Sequence, residues 1–115
     1  MIELALGTYR RIDVLCNIAA TAYFNWLEDV TDEGVGSRSL GRGRRRLLLT
    51  RGAWPQMKGS GGVIVNMASL NAWLSFKILP SLAHTTNKAG IIAITRQLAM
   101  EGREHGIRAN SISPA

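Results

Sequence analysis

The chain has 115 residues, of which 46% are hydrophobic, and this length and composition fit one small globular domain with a packed core. Its formal charge of +6 comes largely from five arginines between residues 38 and 46, so the basic character describes one short segment. No apolar run approaches the roughly 20 residues of a membrane span, no signal peptide is evident, and the single Cys16 excludes an internal disulfide. We therefore expect a cytoplasmic protein.

The first predicted element is a strand within residues 11–20, "RIDVLCNIAA", more narrowly residues 12–18. A charged start is followed by the apolar residues Ile12, Val14, Leu15 and Cys16, and then by small residues. A continuous apolar run of this kind is typical of a strand that is buried on both faces of a parallel sheet.

Residues 25–57 give a mixed signal between this strand and the next. "NWLEDVTDE" (25–33) indicates a loop that enters a helix, with Thr31 or Asp32 as the N-cap. The following "GVGSRSLGRGRRR" (34–46) predicts a break, because each glycine costs about 1 kcal/mol in a helix relative to alanine. "LLLTRGAWPQM" (47–57) then restores the helical pattern. A one-base shift of the reading frame would also produce such a tract, and a real insertion is the alternative.

The remaining segment predicts a strand, a helix and a third strand. "GGVIVNMAS" (61–69) and "GIRANSISPA" (106–115) each combine glycine, a short apolar run and a polar end. Between them, residues 81–104 carry apolar side chains at helical spacing, and Gly106 is a typical stop signal. The apolar positions in this helix are Ala89, Ile92, Ala93, Leu98 and Ala99.

Alternating strands and helices predict an α/β fold, with a partial Rossmann-like parallel sheet and flanking helices in one domain spanning residues 1–115. Ligands bind such sheets beyond the carboxyl ends of the strands. Asn17, Ser69 and Pro114 each follow an apolar strand run, so we expect them to meet at that edge.

Three side chains are candidates for chemistry. Ser69 follows a strand, where its hydroxyl could meet a ligand oxygen, and the alternative is a loop or cap serine. His84 and Lys88 are four residues apart and share a helix face. A lysine cation one turn away disfavours imidazolium, so His84 would be neutral near pH 7 and able to act as a base. A helix-surface pair without function is the alternative.

Other motifs carry less information. The spacing of histidine, cysteine and acidic residues indicates no metal site. "KGSGG" (58–62) precedes a strand instead of joining a strand to a helix, so it predicts a turn and not a phosphate loop. "GRGRRR" (41–46) could bind phosphates through arginine, and a solvated loop is the alternative.

Taken together, four segments resemble the short-chain dehydrogenase/reductase family. "RIDVLCNIAA" resembles the family's "G-x-[IL]-D-x-L-V-N-N-A-G", and "GGVIVNMAS" resembles "G-x-I-V-N-x-[AS]-S". "HTTNKAGIIAITRQLAMEG" resembles the helix that carries Y-x-x-x-K, and "GIRANSISPA" resembles "G-I-R-V-N-x-[IV]-x-P-G". Each motif is weak alone, but the four stand in the family's order and separation over most of the chain outside residues 34–46.

The resemblance implies hydride transfer between NAD or NADP and a carbonyl or alcohol substrate of low molecular weight. Ser69 would hydrogen-bond the substrate oxygen, and Lys88 would hold the ribose and lower the pKa of the acid/base residue. His84 stands where the family has that residue, a tyrosine. Asn17 and Pro114, together with Lys88, would contact the cofactor.

Several departures from the family predict impaired or absent activity in this chain. Histidine in place of tyrosine exchanges the main proton donor, and the family's helix asparagine falls at Arg42. The family's glycine-rich dinucleotide loop has no counterpart here, and the sequence stops at Ala115 before the usual last strand. With three of the family's seven strands, we expect residues 12–18 to form an exposed sheet edge and the isolated chain to be marginally stable.

Three functional hypotheses follow. The first is a family oxidoreductase by descent, impaired in this chain, for which we expect no measurable NADH binding. The second is a non-enzymatic partner of a full-length relative or of another copy, through helices 47–57 and 84–104. The third is an anion or nucleic-acid binder through Arg42 to Arg46, whose binding would weaken steeply with salt. We rank them in that order and do not expect nucleic acid or a membrane as a partner.

Overall fold

The computed structural model describes the chain apart from residues 21, 35 and 37–40 and the side chain of residue 42. Its strands pair in parallel in the order β1-β2-β3, which confirms the predicted α/β class with a parallel sheet and flanking helices. No described helix is both long enough and apolar enough to cross a membrane. The main elements are α1 (Ile2–Tyr9), β1 (Val14–Asn17), α2 (Gly41–Ser60), β2 (Gly62–Met67), α3 (Leu82–Gly102) and β3 (Ile107–Ile112).

Helix α2 corrects the prediction that the helix breaks throughout residues 34–46. It begins at Gly41 and runs through the arginines to Ser60. Arginine is a good helix former, and the buried side chains recur at helical spacing, so packing outweighs the cost of the glycines. The predicted break at residues 35 and 37–40 lies outside the described residues. The buried positions are Arg46, Thr50, Ala53 and Met57.

The predicted cap before this region is confirmed. The Thr31 hydroxyl accepts a hydrogen bond from the Gly34 backbone N–H at 3.1 Å. At an N-cap, the threonine oxygen accepts from a backbone N–H of the first helical turn that would otherwise lack a partner.

Strand β1 is shorter than predicted and is not buried on both faces. Val14 is 56% exposed and Cys16 is also exposed, whereas Asn17 is buried. Alternate residues of a strand point to opposite faces, so the helices cover the face of Asn17 and leave that of Val14 open in the described part of the chain. β1 is also an edge strand of the described sheet, as predicted, and β3 is the other edge strand. The marginal stability expected from an exposed edge stays a prediction.

Two glycines make the turns that bring the strands into register. Gly61 has φ 73° between α2 and β2, and Gly106 has φ 66° before β3, so both adopt the left-handed conformation that glycine favours. The two turns touch, because the Gly62 N–H donates to the Gly106 carbonyl at 3.3 Å. The predicted helix stop at Gly106 and the turn at residues 58–62 are thereby confirmed, although that segment's first three residues are the last of α2.

The core has an apolar part and a polar part. Ala53 and Met57 of α2 pack with Ile64 and Ile107 of the sheet. Beside them, a buried polar row, made of Thr50, Asn17, Asn66 and Thr95, crosses the sheet from α2 to α3. The Asn17 amide donates to Thr50 Oγ1 at 3.3 Å and to Asn66 Oδ1 at 2.9 Å, the Asn66 amide donates to Thr95 Oγ1 at 2.9 Å, and Thr95 donates to the Ile91 carbonyl at 2.7 Å.

We predict that Asn66→Leu destabilises the fold although the two side chains are of similar size. Asn66 is 1% exposed, and its loss leaves the Asn17 amide and the Thr95 hydroxyl buried with fewer partners. Each unsatisfied buried group costs about 1–3 kcal/mol, so the free energy of unfolding should fall by about 2–4 kcal/mol in urea titrations. Asn110→Leu, at an exposed position of β3, is the matched control and should change it by about 0.5 kcal/mol or less. Equal effects of the two substitutions would contradict the prediction.

Candidate active site

The carboxyl ends of the three strands meet at one edge, as predicted. Asn17 ends β1, Ser69 lies two residues after β2, and Pro114 lies two residues after β3. Two backbone hydrogen bonds fasten the last two segments together. The Ala68 N–H donates to the Ile112 carbonyl, and the Leu70 N–H donates to the Pro114 carbonyl, both at 2.8 Å.

Asn17 and Pro114 have different surroundings at this edge. The Asn17 side chain is buried, and its amide is engaged in the polar row with Thr50 and Asn66. Pro114 is exposed, and its carbonyl holds the segment after Ser69. Both residues therefore shape the edge, and their contact with a cofactor stays a prediction.

Ser69 begins a short 3-10 helix, Leu70–Ala72, and its hydroxyl is held by Asn71. Ser69 Oγ accepts from the Asn71 backbone N–H and donates to Asn71 Oδ1, both at 3.3 Å. The Asn71 amide in turn donates to Ser81 Oγ at 3.1 Å, and Ser81 Oγ lies 3.2 Å from Thr85 Oγ1. A series of polar side chains thus connects the end of β2 with the first turn of α3.

Lys88 is anchored to the same strand end. It is 4% exposed, and its ammonium donates to the Met67 carbonyl at 2.8 Å, two residues before Ser69. Burial lowers the pKa of Lys88, because removal from water disfavours the charged ammonium. The cation of Arg46 lowers this pKa further, because it disfavours a second positive charge nearby. Lys88 and Ser69 are therefore held at the same end of β2 from two different elements.

His84 lies one turn before Lys88 on α3, as the sequence spacing predicted. Its ring is half-buried against Phe24, with the ring centroids 5.2 Å apart and a tilt of 43°. Burial lowers the pKa of His84 below the ordinary 6.5, and the Lys88 cation lowers it further. The neutral imidazole expected from the sequence is thus favoured, and it can accept a proton more readily than it can donate one.

A cleft of about 310 Å³ opens at the start of α3, and Ser69, His84 and Lys88 are not among the residues that line it. Ser81 and Thr85, the last members of the polar series that starts at Ser69, form part of its polar lining. Its other walls are largely apolar, as is usual for sites that bind small organic molecules. Asn25, Trp26, Leu27, Ser75, Phe76, Leu79, Pro80 and Leu82 complete the lining.

Sequence reasoning missed two residues of this edge, Asn71 and Arg46. A serine side chain often bonds the backbone N–H two residues on, so the backbone contact at position 71 was detectable, but the side-chain contacts of Asn71 were not. Arg46 is 6% exposed, but it belongs to a run of arginines, and nothing in the sequence distinguishes this buried arginine from its neighbours. The side chain of Arg42 lies outside the described residues. Among those that are described, no cluster of three histidine, cysteine or acidic side chains is arranged to hold a metal ion.

Comparison with known proteins points to enzymes of one kind. The sequence pattern of the enoyl-(acyl carrier protein) reductase family matches residues 1–115. The chain is 36% identical over 119 aligned residues to the chloroplastic NADPH-dependent aldehyde reductase 1 of Arabidopsis thaliana, an alignment that covers 99% of this chain and 39% of that protein.

Solved structures agree over the whole fold. A short-chain type dehydrogenase/reductase from Mycobacterium marinum superposes with a TM-score of 0.94 at 25% identity, covering 100% of this chain and 47% of that one. A short chain dehydrogenase from Leptospira borgpetersenii with bound NAD⁺ superposes with a TM-score of 0.86 at 30% identity, covering 98% and 46%. The chain thus spans less than half the length of these proteins.

We predict that Lys88→Met raises the pKa of His84, because it removes the nearby cation while leaving the ring half-buried. An NMR titration of the His84 ring measures this pKa as the midpoint of the titration, and Lys77→Met, which removes an exposed lysine, should leave it unchanged.

The lowered pKa of His84 also predicts how stability depends on pH, because the unfolded chain binds more protons at His84 than the folded chain does. The free energy of unfolding should therefore fall as the pH drops below 6.5 toward the lowered folded pKa, and less so in Lys88→Met. An unmoved midpoint would show that Lys88 does not act on His84.

Proposed function

The chain belongs to the short-chain dehydrogenase/reductase family, and from that membership we propose that its site serves an NAD(P)-dependent oxidoreductase acting on a carbonyl or alcohol. The observation that carries this proposal is the attachment of Lys88 to the end of β2, beside Ser69 and one helical turn from His84. The similarity to the Arabidopsis aldehyde reductase and to the NAD⁺-bound Leptospira structure supports the same reaction class.

The residues present fit a nicotinamide nucleotide in one respect that the structure shows. An ammonium group has three donors, and the Met67 carbonyl uses one, so Lys88 retains donors of the kind that ribose hydroxyls require. The nicotinamide, when bound, gives or takes the hydride. Asn17 and Pro114 stand at the same edge and are proposed to contact the cofactor, with NAD and NADP both open.

The proton is the part of the reaction that this chain's own residues handle. Ser69 is proposed to hydrogen-bond the substrate oxygen, and His84 is proposed to take the place of the acid/base group. Because its pKa is lowered by burial and by Lys88, His84 is neutral at physiological pH. A neutral imidazole accepts the proton of an alcohol but is a poor donor to a carbonyl oxygen. The proposed activity is therefore slow in alcohol oxidation and carbonyl reduction alike.

The decisive experiment repairs His84 in a chimera. This chain would replace the matched segment of the NAD⁺-bound Leptospira relative, which supplies the rest of the domain. We predict that His84→Tyr raises the rate of secondary-alcohol oxidation and aldehyde reduction roughly 10²–10⁴-fold, the usual contribution of general acid–base catalysis. NADH absorbance follows the rate across a panel of alcohols and aldehydes.

Lys88→Met in the repaired chimera is the control, and it should abolish most of the gain. A tyrosine variant that is no faster than the parent, or one that does not need Lys88, would contradict the proposed function. Both results leave the family membership intact, since that rests on sequence and fold.

A second candidate function is association through the helices α2 and α3, and a groove between them favours it. The groove has a volume of about 430 Å³, and its lining is mostly apolar, including Leu47, which is 48% exposed. We propose another copy of the chain, or a longer relative, as the partner. The groove is lined by Leu47, Thr50, Arg51, Trp54, Pro55, Ile94, Gln97, Leu98 and Glu101.

We predict that Leu47→Asp weakens self-association, because it places a charge in the apolar groove. Leu48→Asp is the matched control, since Leu48 is the neighbouring residue, is 38% exposed and does not line the groove. Sedimentation velocity over a range of concentrations measures the difference. A chain that stays monomeric both alone and when mixed with a longer relative, or equal effects of the two substitutions, would overturn this candidate.

The arginine tract supports the third hypothesis less than its sequence suggests. Arg44 and Arg45 are exposed, but Arg46 is buried and does not reach a surface ligand. An anion-binding surface would thus be smaller than the predicted run from Arg42 to Arg46. A cytoplasmic location likewise stays a proposal that rests on the single cysteine.

A further inference from the structure

The hydroxyl proton of Ser69 is directed toward Asn71. Ser69 Oγ has one proton, which it donates to Asn71 Oδ1, and it accepts from the Asn71 backbone N–H, both at 3.3 Å. A serine that is to hold the oxygen of a carbonyl must give it that same proton. The arrangement in this structure therefore occupies the proton that the proposed function needs.

The direction of the next hydrogen bond follows from this arrangement. Asn71 uses its carbonyl oxygen on Ser69, so its NH₂ group donates to Ser81 Oγ at 3.1 Å. Ser81 Oγ lies 3.2 Å from Thr85 Oγ1, and either of these two hydroxyls can donate to the other. We call these four side chains the hydroxyl relay. Ser81, at 8% exposure, is buried, so water does not readily replace its partners.

We propose that Asn71 is a positioning residue whose side-chain amide sets the direction in which the Ser69 hydroxyl donates. A half-turn of the amide exchanges its oxygen and nitrogen at nearly the same positions. Asn71 Nδ2 would then donate to Ser69 Oγ, and Asn71 Oδ1 would accept from Ser81, which accepts from Thr85 in turn. Every group keeps a partner in both directions, because serine and threonine hydroxyls can donate or accept.

The reversed relay frees the Ser69 proton for a substrate oxygen. Ser69 Oγ would then accept from both the backbone and the side chain of Asn71, which leaves its single proton to the ligand. Asparagine suits this position because it carries a donor and an acceptor on one planar group. This inference rests on the proposed function, since it concerns how Ser69 holds a substrate oxygen.

Two substitutions of Asn71 have opposite consequences. The carboxylate introduced by Asn71→Asp accepts from both sides at neutral pH and holds the Ser69 proton with a charge-assisted bond. We expect the affinity of the full chain for cyclohexanone, a simple ketone probe, to fall about five- to tenfold, as for a lost hydrogen bond. Asn71→Leu removes the competing acceptor at similar size, and we expect unchanged or tighter binding. Asn110→Asp adds the same charge at an exposed position of β3 and should change nothing.

Ser69→Ala separates this proposal from the proposed function. Ligand-observed NMR would give the cyclohexanone affinity for each variant. If Ser69→Ala weakens binding but Asn71→Asp does not, Ser69 holds the oxygen and the role of Asn71 is overturned. If Ser69→Ala has no effect, both the proposed role of Ser69 and that of Asn71 are overturned. A merely structural Asn71 would show equal losses in its aspartate and leucine variants, which also overturns the proposal.

If the ketone binds too weakly to titrate, a second measurement tests the hydrogen bonds of the hydroxyl relay. The side-chain amide signals of Asn71 in a ¹⁵N–¹H spectrum report its partners directly. Ser69→Ala and Ser81→Ala should each shift these signals, and the signals of Asn110 should stay in place. Unmoved Asn71 signals in both variants would overturn the proposal.

Discussion

A row of buried hydrogen bonds across the sheet is the constraint on which the rest of this structure depends. Asn17 and Asn66 lie opposite each other in neighbouring strands and are joined side chain to side chain. Thr50 and Thr95 extend the row into α2 and α3. Apolar contacts alone tolerate some sliding of helices over a sheet, whereas buried amides lose about 1–3 kcal/mol for each partner they forfeit. The row therefore fixes where both helices lie.

The position of α3 in turn decides the chemistry of the edge. Once α3 is fixed on β2, Lys88 reaches the Met67 carbonyl, and His84 is carried to the same side one turn earlier. The positive charge of Lys88 and partial burial then act on the imidazole in the same direction. A half-buried histidine beside a lysine is thus favoured in its neutral form.

The exposure of apolar side chains on the sheet follows from the position of the two long helices. Both long helices cover the sheet face that carries Asn17 and Asn66, and the opposite face keeps Val14 at 56% and Ile112 at 51% exposure. Relatives with the same fold are more than twice as long, which agrees with an architecture in which a parallel sheet has both faces covered. Apolar side chains on an open face and edge favour association, so the physical behaviour of the chain depends on what covers them.

The sequence by itself determined the class of fold and which residues meet at the carboxyl edge of the sheet. Apolar runs located the three strands, two of them after glycine, helical spacing located α3, and the ends of the runs identified Asn17, Ser69 and Pro114 as one edge. Four family-like segments in order gave the family, and His84 stood out because its position was defined by that order. These features are local in the chain, so periodicity and spacing can report them.

Only the tertiary structure decided the rest. It showed that α2 begins at Gly41 and runs through Gly43, because burial of Arg46 and Thr50 outweighs the preference of glycine against helices. Ala89 and Ala93 of α3 are exposed despite their helical spacing, whereas the polar Asn66 of β2 is buried. The tertiary structure also brought Asn71 between Ser69 and Ser81, residues twelve positions apart. Such contacts depend on which elements lie side by side, and local pattern carries no information about that.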